Sequence, residues 1–219
     1  MKHVFVFSVC ATLSLFSLSA RAQSDSSNTK TGKPQSSNAP LKQPNRLFLD
    51  VHHLGAGKVD AKSVAGAHQK DLAVQGKYGV DILKYWIDEA NGDVYCLASC
   101  ASADDLRNTH AEAHGLLPDQ IFEVKGGQEA DQKGTNSLYL DFHQLEPGKV
   151  TAKDVAEAHK KDLAVQKKYG VNLIDYWVDE KNGTVMCLAQ APDSAALVNT
   201  HKEAHGLLPI RVVKVSQGH

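Results

Sequence analysis

Polar and apolar residues alternate over residues 47–53, with Leu49 and Val51 on one face and Asp50 and His52 on the other, which predicts a strand. The stretch VDAKSVAGAHQKDLAVQGKYG then takes up a helical period, with Asp60 placed as N-cap and Gly79 as C-terminal stop. Two further strands are predicted over 82–88 and 94–99, joined by Glu89-Ala90-Asn91-Gly92, whose Asn-Gly is a strong hairpin signal. Ser102 with Asp105 opens a second helix in the manner of a capping box. It runs to His114, with Gly115 as its stop and Pro118 beyond, before a last strand over 121–125.

The same order is then written again. At an offset of 91 residues the segment 47–125 aligns without gaps on 138–216, with 46 identities in 79 positions. The unit βαββαβ is the split βαβ, or ferredoxin-like, arrangement, with helices on one face of an antiparallel sheet. The expected fold class is therefore α+β: two tandem ferredoxin-like units, 46–125 and 138–216, packed sheet to sheet as an intramolecular pseudo-dimer. Each unit is marginal alone, so packing the copies together helps both. The linker assigned to 126–137, GGQEADQKGTNS, spans at most about 40 Å when extended, enough for that pairing.

Composition describes an ordinary globular chain, with 42% hydrophobic and 22% charged residues, and a formal charge of -1 that gives nucleic acid no electrostatic footprint. The N-terminus departs from this. A basic Lys2, an apolar run over 4–18 and Ala20-Arg21-Ala22 read as a secretory signal peptide over 1–22, too short to span a bilayer, with no later segment of spanning length. The mature protein is then expected from Gln23, exported to the periplasm or beyond. Residues 23–45, rich in Ser, Asn, Lys and Pro, read as a disordered tether. Of the mature cysteines, Cys96 and Cys100 stand too far apart on one strand to bridge. A disulfide between Cys96 and Cys187 is conceivable, although small strand cysteines are commonly core.

Eleven histidines, against about five in a chain of ordinary composition, are the one compositional excess. His110 and His114 stand four apart in NTHAEAHGLLP, and His201 and His205 repeat the spacing, which places each pair on one helical face within reach of a shared ion. On the first helix His68, Asp71 and Gln75 occupy the centre of a face that should be apolar, and His159, Asp162 and Gln166 repeat them. The candidate ligands are His52, His68, His110, His114, His143, His159, His201 and His205, with Asp50, Asp71, Cys96, Asp141, Asp162 and Cys187 as secondary candidates. Ligands of these types suit nickel, zinc, copper or cobalt. Asp71 is expected to orient His68 without itself binding metal. His53, replaced by Gln144 in the second copy, drops out. The opposing reading makes His68 and His110 core histidines satisfied by Asp71 or Gln75.

The segments AHQKDLAVQGKYGVDILKYWIDEANGDVYCLASC and HAEAHGLLPDQIFEV resemble a family of small bacterial nickel-binding proteins of ferredoxin-like fold, over both units but neither leader nor tether. The resemblance implies nickel, and dimers that this chain replaces by two copies in one polypeptide, with further oligomerisation open. It extends a metal role only to the histidines inside the matched motifs.

Three functions compete: an exported metal-binding protein for buffering, sensing or delivery; a metal-independent binding or assembly module; and an enzyme using a pocket between sheets. No nucleophile elbow, phosphate loop, dinucleotide fingerprint or haem attachment sequence specifies a reaction, so the protein is not expected to be an enzyme.

Overall fold

A computed structural model describes residues 44–128 and 130–219. The leader and most of the tether lie outside the described residues. The first repeat contributes β1 (Arg46–His53), α1 (Ala61–Tyr78), β2 (Asp81–Asp88), β3 (Asp93–Cys100), α2 (Ala103–Ala113) and β4 (Gln120–Gln128). The second contributes β5 (Ser137–Gln144), α3 (Ala152–Val165), β6 (Asn172–Asp179), β7 (Thr184–Ala191), α4 (Ser194–Ala204) and β8 (Arg211–Gly218).

The predicted caps form. Asp60 accepts from the Ser63 amide at 2.7 Å while the Ser63 hydroxyl accepts from Asp60 N–H, and Gly79 ends α1 at φ 67°. Ser102 caps α2 by accepting from the Asp105 amide, but the Asp105 carboxylate accepts from the Ser102 hydroxyl and not from its backbone, so the expected box does not close; His114 occupies the C-cap. α3 is shorter than α1 and passes through a 3-10 turn, Gln166–Tyr169.

The two sheets do more than face each other. All eight strands pair antiparallel into a closed barrel in the order β1-β3-β2-β8-β5-β7-β6-β4, with β4 returning to β1. The sheet edges are β2 and β4 in the first repeat and β6 and β8 in the second, and unpaired edges leave a row of N–H and C=O groups unsatisfied. The seams β2·β8 and β4·β6 remove all four edges. The barrel interior is filled by the inward residues of both repeats, among them Leu49, Val51, Trp86, Tyr95, Leu140, Trp177, Met186 and Leu188. Eight strands leave an interior just wide enough for side chains, and the Trp86 and Trp177 rings meet there at 5.0 Å.

The seams correct the linker boundary, because Gly126, Gly127 and Gln128 belong to β4 and pair with Trp177, Tyr176 and Asp175. A Cβ on Gly127 would lie 2.3 Å from Tyr176 Cζ, and one on Gly218 would lie 2.1 Å from Tyr85 Cζ. Glycine is thus required where a tyrosine ring lies across each seam. Lys84 and Asp175 occupy equivalent positions of the two repeats and face each other at 3.6 Å. Arg211 of β8 reaches the first repeat's hairpin, 2.5 Å from Asp93 and 3.4 Å from Asp88.

Outside the barrel the helices cover each sheet over two apolar clusters. In the first repeat one holds Phe48, Ile82, Ala98 and Leu106, the other Tyr85, Ile87, Val94 and Cys96. The conceivable disulfide does not form: Cys96 and Cys187 are buried free thiols, each in its own repeat's helix-facing cluster. No helix among the described residues is long and apolar enough to cross a membrane.

Candidate metal centre

The alternation of β1 sends Leu49 and Val51 into the barrel and leaves Asp50 and His52 facing the helices, both buried. His68 and Asp71 come down from α1, His110 from α2 and His114 from its cap. His110 sits at the centre. Its Nδ1 lies 3.0 Å from Asp71 Oδ1 and its Nε2 3.0 Å from Asp50 Oδ2, so one ring joins a helix carboxylate to a strand carboxylate. His52 Nε2 approaches Asp50 Oδ1 at 3.3 Å, and His114 Nε2 approaches Asp71 Oδ1 at 3.2 Å.

The second repeat reproduces this. His201 lies 3.0 Å from Asp162 and 3.2 Å from Asp141, His143 lies 3.1 Å from Asp141, and His205 lies 3.2 Å from Asp162.

Two triads of donor atoms therefore converge in each repeat. The deeper is Asp50, His52 and His110, matched by Asp141, His143 and His201. The shallower is Asp71, His110 and His114, matched by Asp162, His201 and His205. His68 and His159 stand apart from both sets. His68 packs its ring on Tyr85 at 4.8 Å and His159 on Tyr176 at 4.5 Å, although His159 also comes within 3.7 Å of Asp162. Asp71 thus serves His110 and His114 by hydrogen bond, where the sequence paired it with His68. Gln75 is spent elsewhere, accepting from Ile82 N–H at 2.8 Å and tying α1 to β2. His53 pairs with Asp93 at 2.8 Å, away from the cluster.

The electrostatics follow from burial against pairing. Burial works against charge on His110, but the two carboxylates on its nitrogens outweigh it and raise its pKa to about 9; the same balance lifts His201 to about 10. Burial pushes the Asp71 and Asp162 carboxyls up, yet hydrogen bonds from their histidines hold both at about 2. Asp50 and Asp141 are likewise held below the usual carboxylate range against full burial, by their two imidazoles. Cys96 and Cys187 are driven the other way, first by burial and then by the neighbouring aspartates, so both remain thiols. A buried thiol beside two carboxylates is a poor source of a thiolate ligand.

Each cluster opens on a cavity between α1 or α3 and the sheet. The first, about 150 Å³, is lined by donors together with Val59, Val64, Ala67, Tyr85 and Val94. The second, about 40 Å³, keeps Val155, Ala158 and Val185 as walls, while Val150 and Tyr176 do not line it. Tyr85 was missed as a site residue. Its signal lay in the hairpin: once Asn91-Gly92 sets the turn, Tyr85 falls opposite Cys96, which falls opposite Asp50.

The family model for nickel responsive proteins similar to SCO4226 matches residues 48–124 and 139–215. The chain belongs to this family. The crystal structure of SCO4226 from Streptomyces coelicolor A3(2) is 30% identical and covers 35% of this chain and 91% of its own, with a TM-score of 0.33. A putative monooxygenase from Lactobacillus acidophilus NCFM is 8% identical over 80% of this chain and 94% of its own, with a TM-score of 0.42. A chlorite dismutase from Candidatus Nitrospira defluvii is 6% identical over 81% of this chain and 92% of its own, with a TM-score of 0.47. No curated protein matches the chain.

Proposed function

We propose that each repeat binds one divalent transition ion, nickel foremost, through Asp50, His52 and His110 in the first repeat and Asp141, His143 and His201 in the second. The observation that carries this reading is a pair of carboxylate oxygens. Asp50 Oδ1 and Asp141 Oδ1 are buried outside hydrogen-bond geometry, with only an ion-pair contact to an imidazole nitrogen, His52 Nε2 at 3.3 Å and His143 Nε2 at 3.1 Å. An unsatisfied buried acceptor costs about 1–3 kcal/mol, more when charged, and a cation removes that cost. The nitrogen and oxygen donors suit nickel, and zinc, copper and cobalt by the same ligand types. The family's description favours nickel among them.

The deeper triad suits an ion better than the shallower one. Leu116 N–H donates to His114 Nδ1 at 3.1 Å, so a neutral His114 keeps its proton on Nε2, the atom that faces Asp71. Leu207 and His205 repeat the contact. His110 is arranged the opposite way: its Nδ1–H donates to Asp71, which leaves Nε2 for an ion beside Asp50. Asp71 and Asp162 therefore orient the ligand from outside the ion's own donor set. Without an ion, the positive charge between the carboxylates is the His110 imidazolium, so uptake exchanges a proton for a metal. A bound divalent cation supplies the charge that the proton otherwise provides.

We read the role as binding, not catalysis: an exported protein, by the leader-like segment at 1–22, that buffers, senses or delivers the ion. Calorimetric titration of the purified protein with Ni(II) tests the stoichiometry. Two ions per chain are expected, falling to one on either His110→Ala or His201→Ala and to none on both. A second reading keeps the clusters as metal-independent ion-pair networks, favoured by the pairing of both His110 nitrogens. It predicts that the same substitutions destabilise the chain equally with and without metal.

A further inference from the structure

We propose that the cavity of the first repeat holds one further imidazole ring against the donor cluster, and that the second repeat's cavity does not. The inference rests on the ion-binding reading above and concerns what accompanies the ion.

Size is the first observation. The first cavity measures about 150 Å³ and the second about 40 Å³. An engineered apolar cavity of about 150 Å³ takes up benzene, so a five-membered ring fits the first space, while the second has room only for water. The residues lining the smaller cavity match their counterparts in the larger one. What differs is closure: Val150 and Val155 are buried at 8% each, whereas their counterparts Val59 and Val64 are only half-buried.

Chemistry is the second. The donors form the floor, and the walls are Val59, Val64, Ala67, Val94 and the Tyr85 ring, so a guest meets apolar surface along its body and metal-ligating groups at one end. A further carboxylate is disfavoured there, because Asp71 on the floor and Asp50 buried behind it already balance the two charges of a divalent ion, and the exposed Lys58 at the rim is too solvated to offset a third anion. A neutral nitrogen donor on a flat ring adds no charge. Three protein donors leave an ion with room for such a ligand.

The imidazole has two sources. One is this chain: Gly218 pairs with Tyr85, whose ring lies over it, and His219 is the next residue, close enough for its charge to act on His68. The residue 91 positions earlier is Gln128, which follows the Gly127 paired with Tyr176 and has no imidazole. The other source is a free or peptide-borne imidazole.

The test loads the wild-type protein with two equivalents of Ni(II), titrates imidazole, and follows the ligand-field spectrum. The same titration is run on His219→Ala, Ala67→Leu and Ala158→Leu. Two outcomes support the proposal. If the guest comes from outside, wild type takes up one saturable equivalent of imidazole. If His219 occupies the cavity, only His219→Ala does so, and its spectrum before titration differs from wild type. In either case Ala67→Leu, placed in the His219→Ala background when that is the binding form, weakens uptake at least tenfold while both ions stay bound, and Ala158→Leu changes nothing. Uptake by neither protein, uptake of two equivalents, or indifference to Ala67→Leu overturns the proposal. Absence of nickel binding in wild type would instead sink the reading on which it rests.

Discussion

The two repeats carry the same five donor residues in nearly the same geometry, but their surroundings have diverged. The His110 and His201 contacts to their carboxylates agree within 0.2 Å, and the ring spacings of His52–His110 and His143–His201 are 5.1 and 5.0 Å. Beyond the donors, the loop Gly55-Ala56-Gly57 before α1 becomes Glu146-Pro147-Gly148, Ser63 becomes Asp154, and Gly66 becomes Glu157. Buried ionisable groups that satisfy one another cannot change singly without stranding a partner, whereas a rim residue exchanges one solvated group for another. The comparison teaches that the cluster is held by mutual dependence, and that what reaches it is set by residues free to vary.

The largest effect should come from breaking the shared part. His110→Ala leaves Asp50 and Asp71 buried without their common cation, which costs about 3–5 kcal/mol, and His201→Ala does the same in the second repeat. Urea denaturation of both variants checks this. Clearly unequal losses would show that the two clusters are not equivalent after all.

Alkaline pH weakens the shared part next. The His110 pKa is raised from 6.5 to about 9 and that of His201 to about 10. Their stabilisation is therefore complete below pH 6.5 and is lost as pH rises through about 9 in the first repeat and about 10 in the second. The same pairs viewed from Asp71 and Asp162, lowered from 3.8 to about 2, are intact above pH 3.8 and fail as pH falls toward 2. Proton NMR of the imidazole resonances against pH should show both histidines keeping their protons well above pH 6.5. Bound metal should remove the alkaline loss by replacing the proton.

The seams offer a smaller perturbation. Gly218→Ala drives Tyr85 off the β2·β8 seam toward His68, and Gly127→Ala drives Tyr176 off the β4·β6 seam toward His159. Overpacking of this kind costs about 1–3 kcal/mol. Thermal unfolding measures the cost, and nickel titration should show each change weakening only its own repeat's site. Smallest is the pair at the dyad: Lys84→Asp sets like charges against each other at a part-exposed position, for a loss of about 0.5 kcal/mol. The swap with Asp175→Lys should restore it. An equal loss in the double variant would mean that charge is not what distinguishes the repeats there.

Most local structure was legible because local chemistry fixes it. Asp60, Gly79, Ser102 and Asn91-Gly92 mark their own boundaries, and the alternation around Asp50 and His52 separates their face from Leu49 and Val51. Parity alone does not say which face meets the helices; the barrel core decides that. Closure of the barrel was not legible, because seam pairing depends on how two distant edges meet, and Gly126-Gly127 has the composition of a linker until Tyr176 is seen lying across it. The helical wheel placed His68, Asp71 and His110 correctly on inward faces. It could not give reach, so Asp71 was paired with its helix neighbour, and its bridge across to α2 appeared only in three dimensions.

On the proposed function, one ion per repeat lies in the deeper triad. A crystal structure of the nickel-loaded protein, with anomalous data at the nickel edge, tests it directly. Two anomalous peaks are expected, one touching Asp50, His52 and His110 and one touching Asp141, His143 and His201, with Asp71 and Asp162 still hydrogen-bonded to their histidines. Peaks at His114 and His205, or none within either repeat, would contradict it.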